Sequence, residues 1–316
     1  LGQEVVPNSG CGSWLLEPQS TNLVTYSEDF SQWTATGVTT IESGYLAPDG
    51  TNNAYKVSGA SSVIYLDAAL LTTTTRSIYA RTVSGTGQAH LCSFNGNSNN
   101  LFTITEQWQR FEVNSANTTG TRNFYAVDFR NQTTLSEIIL WGANATNDQD
   151  YVTSYIPTQG AASTRLQDIA TNSGNASLIN SEEGVLYAEI ASLKGQFDSN
   201  RTISLSDSTN GNQIRFYLPI NIEGQIKIRV DVGGSTIYIF DYNITTSETP
   251  IKLAFRYSPN GMDLYSNGAL VSSSLLFPNF TNNLNSLQFR RGDGQIGADF
   301  YGKNKALAVY KTALTD

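Results

Sequence analysis

The chain has 316 residues, a net charge of −8, and only 15% charged against 39% hydrophobic residues. That length accommodates two domains of ordinary size, and the hydrophobic content excludes a disordered chain. The negative balance argues against nucleic acid, whose binding rests on Lys and Arg releasing counterions, and with no apolar run of eighteen residues a transmembrane helix, and with it membrane insertion, is excluded.

The first residues, LGQEVVPNSGCGSW, lack a basic start and an apolar run, so they do not read as a signal peptide; the absent initiator Met leaves room for a longer parent chain. Residues 1–20 read as an N-terminal arm, with Trp14 expected to dock on the first sheet or on a neighbouring subunit. Strand signals then follow at sandwich spacing: SIYARTV (Ser77 to Val83), AHLCSF (Ala89 to Phe94), RFEV (Arg110 to Val113), NFYAVDF (Asn123 to Phe129) and EIILW (Glu137 to Trp141). No helix of two turns is predicted here. Residues 158–181 form a junction rich in small and polar types, read as fixed rather than floppy because Arg165 and Asp168 punctuate it.

The remainder, 182–316, carries strands at GVLYAEIASL, TISLSD, IRFYL, IKIRVDV, TIYIFDY, IKLAFRY, MDLYS, SLQFRR and KALAVY. In IKIRVDV, Ile226, Ile228, Val230 and Val232 share one face and Lys227, Arg229 and Asp231 the other, the mark of a half-buried strand. Asn260-Gly261 and Asn267-Gly268 supply the positive φ angles of tight hairpins, so Ile251 to Ser274 is predicted to be a three-strand meander. The fold class is therefore all-β, two antiparallel β-sandwich (jelly-roll) domains in tandem.

Two blocks, LLEPQSTNLVTYSEDFSQW (Leu15 to Trp33) and WGANATNDQDYVTSYIPTQGAASTRLQD (Trp141 to Asp168), together resemble bacteriophage tail and fibre proteins. Those proteins set a carbohydrate-binding-module-like jelly roll, here 21–157, between such an opening and exit. AFRYSPNGMDLYSNGALV and the closing FYGKNKALAVYKTALTD resemble laminin-G and concanavalin A-like lectin domains, here 182–316. The resemblance implies a non-catalytic adhesin on a virion surface, assembled in bacterial cytoplasm, binding a cell-surface polysaccharide or glycan and other virion proteins. It also implies a homo-oligomer, a trimer by preference, although no heptads are visible. Alternatives are a virion structural protein, a secreted bacterial carbohydrate-binding module and, last, a hydrolase or lyase.

The residues themselves disfavour catalysis. His90 is the only histidine, so any Ser-His-Asp or Cys-His arrangement depends on it. The paired-carboxylate strand patterns of glycosidases are absent, and Gln88-Ala89-His90 matches a lyase Gln-x-His only as chance allows. Cys11 and Cys92 permit one disulfide at most and are expected as thiols in a cytoplasmic fold; no zinc spacing exists. Seven Asn-x-Ser/Thr sequons, at Asn117, Asn131, Asn144, Asn175, Asn200, Asn243 and Asn279, are what chance gives in so Asn- and Thr-rich a chain.

Sugar binding asks for an aromatic face and polar groups that bracket hydroxyls. Trp33, Trp108 and Trp141 are expected to pack the first domain. Alternation in SIYARTV sets Ile78 and Ala80 against Tyr79 and Arg81, the face preferred for ligand. In NFYAVDF alternation leaves the outer face undecided; Asp128 with Arg130 brackets hydroxyls or forms a salt bridge. The resemblance adds His90 and Tyr125, giving Tyr79, Arg81, His90, Tyr125 and Asp128 as the ligand set. Structural Ca²⁺ is the one metal considered, with Glu28, Asp29 and Asp49 as ligands and Asp207, Asp293 and Asp299 as weaker choices.

Overall fold

A computed structural model describes residues 3–4, 12–38, 40–67, 73–93, 100–117, 123–147, 151–193, 200–219, 222, 224–246 and 248–314. The chain divides into two compact units: 19–166, called here the first, and 1–18 with 167–316, the second. Apart from a single 3₁₀ turn at Phe30–Gln32, the described regular structure is strand. Among the described residues, no helix is long and apolar enough to cross a membrane.

In the first unit, one five-stranded sheet runs in the order Leu101–Ile104, Gly87–Ser93, Asn123–Asp128, Val63–Asp67, Thr34–Thr36. The other runs Gln109–Asn117, Thr73–Arg81, Glu137–Asn147, Ala54–Ser58, Thr40–Tyr45. All these pairings are antiparallel. Period-two alternation sends Ile78, Ala80, Ile138 and Leu140 from one sheet, and Ala89, Leu91, Ile64 and Phe124 from the other, into a shared core. Trp33 lies in that core; Trp141 and Trp108 instead join a smaller cluster with Tyr45, Tyr79, Ile139 and Tyr155.

The two sequence blocks that bracket this unit are its clasp. Ser20–Asn22 pairs with Ser163–Arg165. Asn22, fully buried, donates through Nδ2 to the carbonyls of Ala143 (3.1 Å) and Ile156 (2.8 Å) and accepts at Oδ1 from the amides of Val24 and Ala145. Ser27 and Thr158 exchange backbone-to-hydroxyl bonds in both directions. A buried amide with every bond made has strong positional preference, because only Asn and Gln supply two donors and an acceptor in one plane, and Gln sets that group one methylene further out.

The second unit has a seven-stranded sheet, in the order Gln3–Glu4, Ser13–Leu16, Gly302–Tyr310, Gly184–Ser192, Ile251–Ser258, Gly261–Ser266, Ala269–Ser274. Its five-stranded partner runs Ser235–Asn243, Gln225–Val232, Gln213–Leu218, Arg201–Ser206, Ser286–Gln288. These pairings are antiparallel too. Leu186, Leu253, Phe255 and Leu264 pack against Ile203, Ile214, Phe216 and Ile228 in its core. The predicted meander is present, with Asn267 (φ 48°) and Gly268 (φ 84°) at its second turn.

Composition suggested an arm over 1–20 and a junction over 158–181, and here the structure differs. Ser13–Leu16 is a strand of the second unit, with Trp14 paired to Asn304. Residues 158–166 belong to the first unit and 167 onward to the second. Glu17 and Asp168 close this seam within the second unit: the Glu17 amide donates to Asp168 Oδ2 and the Asp168 amide to the Glu17 carbonyl, both at 2.9 Å. Such long-range pairing leaves no mark in composition. Cys92 is buried as a thiol; Cys11, and with it any pairing of the two, lies outside the described residues.

Candidate functional site

The ligand residues read from sequence fall into two groups on the outer faces of opposite sheets of the first unit, with the core between them. Tyr79 and Arg81 alternate with core-facing Ile78 and Ala80. Tyr79 lies between its strand partners Arg110 and Trp141; its ring meets Trp141 at 5.3 Å and the Arg110 guanidinium at 5.6 Å. Arg81 stacks over Trp108 at 5.4 Å. Tyr155 covers Trp141 at 4.7 Å, and Arg110 Nη2 donates to the Thr153 carbonyl at 2.6 Å. The exit passage therefore lies over this face, and its aromatic rings are spent on one another.

His90 and Asp128 are direct strand partners on the other sheet. His90 is 2% exposed, with Nε2 2.9 Å from the Asn131 carbonyl. Asp128 holds Arg130 through two bonds of 2.9 and 2.7 Å, a contact between residues i and i+2 along the chain. Tyr125, 5% exposed, packs on Tyr65 at 5.0 Å under Arg130. Burial raises the Tyr125 phenol above its ordinary range, partly offset by Arg130.

Glu28 and Asp29 line an open pocket of about 470 Å³ with Asn53, Tyr55, Pro157, Thr158 and Gln159. Glu28 accepts from the Tyr155 hydroxyl and from Asn53 Nδ2, each at 2.7 Å. Asp29 caps the 3₁₀ turn and accepts from the Ser31 amide and hydroxyl and from the Tyr55 hydroxyl. Burial favours its neutral form, but these bonds outweigh it and hold the carboxyl below the usual range. Asp49 accepts from the amide and hydroxyl of Thr51 and lies close enough to Tyr155 to raise its phenol pKa, an effect secondary to burial.

Calcium needs six to eight oxygens converging on one point. Glu28, Asp29 and Asp49 each accept hydrogen bonds from neighbouring hydroxyl and amide donors. Asp293 and Asp299 are ion-paired with Arg291 and Arg290, and Asp207 is enclosed by Thr209 and Asn212. Among the described residues no group of three or more His, Cys, Asp or Glu is placed to hold a metal.

An open apolar concavity lies in the second unit and was not read from sequence. Strand register aligns Tyr187, Ala254, Tyr265 and Leu270 as one row across four neighbouring strands, Gly184–Ser192 through Ala269–Ser274. Ala254 is the small member, and its short side chain leaves a groove between the two tyrosines. Lys252 and Arg256, two positions away on either side, share that outward face, as the alternating burial of Ile251–Ser258 requires. Val185, Gly268 and Leu314 complete the lining of a groove of about 650 Å³. Arg256 is fixed by Asp263 at 2.6 Å and by the Leu314 carbonyl at 3.1 Å, and its guanidinium lies 5.9 Å from the Tyr265 ring centre.

One signal for this site was present in the sequence. IKLAFRY alternates cleanly, and its polar face carries Ala254 between two long cations. What Ala254 faces on the adjacent strands is settled by register alone.

Residues 190–316 match the family model of the Concanavalin A-like lectin/glucanases superfamily. No curated protein matches the chain. Among solved structures, the chain is similar to the CBM40 of a Ruminococcus gnavus IT-sialidase bound to α2,3-sialyllactose, with a TM-score of 0.37, 16% identity, and coverage of 47% of this chain and 90% of that one. A native heptameric SAP-like pentraxin from Limulus polyphemus gives 0.38, 14%, 46% and 71%. Domain 4 of AbnA, a GH43 extracellular arabinanase from Geobacillus stearothermophilus in complex with arabinotriose, gives 0.37, 19%, 53% and 80%. All three are partial likenesses, and the stronger statement is the family match over the closing 127 residues, 190–316.

Proposed function

We propose that the chain is a non-catalytic glycan-binding module whose principal sugar site is the groove over Ala254. The observation that carries this reading is the row Tyr187, Ala254, Tyr265, with Lys252 and Arg256 beside it. Strands in a sheet lie about 4.8 Å apart, so the two tyrosines stand about 10 Å from each other, enough for a sugar ring between them. Their faces offer C–H contacts and the two cations bracket hydroxyls or an acidic substituent. The match of 190–316 to a lectin and glucanase superfamily supports the reading.

The finer proposal is a virion fibre or adhesin module, displayed in several copies so that weak contacts gain avidity. It rests on the resemblance of Leu15 to Trp33 and Trp141 to Asp168 to phage tail and fibre proteins. The test is a glycan array probed with the intact chain and with Ala254→Leu. Binding lost in the variant supports the groove. Silence of the folded intact chain across surface polysaccharides overturns the glycan reading and favours a structural role among virion proteins.

A further inference from the structure

We infer that the first unit carries a second sugar site, the pocket over Glu28 and Asp29, which takes an uncharged vicinal diol and rejects acidic sugars. The pocket, about 470 Å³, is large enough for one hexose and is lined by Glu28, Asp29, Asn53, Tyr55, Pro157, Thr158 and Gln159. Two carboxylates and no basic side chain line it. A carboxylate accepts paired hydroxyls much as it accepts a bidentate guanidinium, whereas a sugar carboxylate meets like charge on both sides.

The acceptors are held in place before any ligand arrives. Glu28 is fixed between Tyr155 and Asn53, and Asn53 Oδ1 in turn accepts from Trp141 Nε1 at 2.9 Å. The bonds to Asp29 from Ser31 and Tyr55 converge on Oδ1, and Gln32 also bonds the carboxyl; with two lone pairs on each oxygen, Oδ2 still has room to accept a ligand hydroxyl. The lowered carboxyl of Asp29 keeps it ionised at neutral pH. Pro157 and the Tyr55 ring supply apolar surface, and Gln159, exposed at the rim, supplies both an amide donor and an acceptor. Fixed polar groups lose less entropy on binding than mobile ones, so the site is suited to a small ligand.

The test uses the full chain carrying Ala254→Leu, which closes the second-unit groove and separates this site from the one proposed above. Methyl glucoside, methyl galactoside, methyl mannoside and glucuronate are each titrated while backbone amide resonances are followed. At least one neutral glycoside should move the amides of Asp29, Asn53 and Gln159, and glucuronate should not. Gln159→Ala, at an exposed position, should weaken that binding about fivefold, and Asp29→Asn by more. Silence at these amides with every neutral glycoside, equal binding of glucuronate, or unaltered affinity in both variants would overturn the inference. Groove binding in the chain without Ala254→Leu would stand in any of those cases.

Discussion

Tyr187 and Tyr265 flank Ala254 in a single cross-strand row, each its direct partner on a neighbouring strand. The gap between the tyrosines exists because Ala254 has no side chain beyond Cβ. Ala254→Leu should therefore fill the groove without touching the core, whose residues Leu253 and Phe255 point the other way. Sugar affinity is expected to fall at least tenfold, about 1.4 kcal/mol, with the thermal midpoint within a few degrees of the parent. Tyr265→Ala should lose a similar amount, measured by calorimetric titration with whichever glycan the array identifies.

Asn22 is expected to be the most sensitive polar position of the first unit. Asn22→Ala strands two buried carbonyls and two amides, and each unpaired buried group costs about 1–3 kcal/mol. The prediction is a loss of at least about 3 kcal/mol in denaturant unfolding of the first unit, with Asn22→Asp no better because its oxygens face carbonyls. A loss below about 1 kcal/mol would contradict the clasp.

Tyr79 and Arg81 give the opposite expectation from a ligand-only face. Tyr79 supports Trp141 and Arg110, and Arg81 lies on Trp108. The double variant Tyr79→Ala, Arg81→Ala should cost about 2 kcal/mol in stability through lost ring contacts. Groove binding in the second unit should be unchanged, which calorimetry on the folded variant checks.

The Cys92 thiol is fully buried, and burial pushes its pKa up to about 12, against a smaller opposing effect of Arg76. The reactive thiolate is therefore scarce at pH 8. Native protein treated with iodoacetamide should show Cys92 unmodified by peptide mass mapping, with full labelling in denaturant. Rapid native labelling would show that the strand Gly87–Ser93 opens readily.

Acid should destabilise the second unit only at low pH. The Arg291 guanidinium holds the Asp293 carboxyl below the usual range, and at Asp207 hydrogen bonds from Thr209, Asn212 and Asn282 outweigh the upward push of burial. A carboxylate with a depressed folded pKa contributes stability that is complete above the unfolded value of about 3.9 and is lost as pH falls through the folded value. These two groups should thus contribute no slope between pH 7 and 5 and a steep loss below about pH 4. Asp207→Asn should flatten that acid limb in a series of thermal melts.

The sequence by itself determined the strand content, the alternating faces and the turns, because a two-residue period and Asn-Gly turn chemistry are local properties. The meander of Ile251 to Ser274 and the core faces of SIYARTV and IKIRVDV follow from that alone. Alternation also placed Tyr79 and Arg81 away from Ile78 and Ala80, but not what lies over them. Only the tertiary structure decided that Tyr155 and Thr153 cover that face, that His90 is enclosed beside Asn131, and that Tyr125 lies on the opposite sheet. The same holds for Ala254, which becomes a groove only once register sets Tyr187 and Tyr265 beside it. The register of Tyr187 against Ala254 is fixed by backbone hydrogen bonds between segments 67 residues apart, and such pairing is a property of the assembled sheet rather than of any stretch of chain.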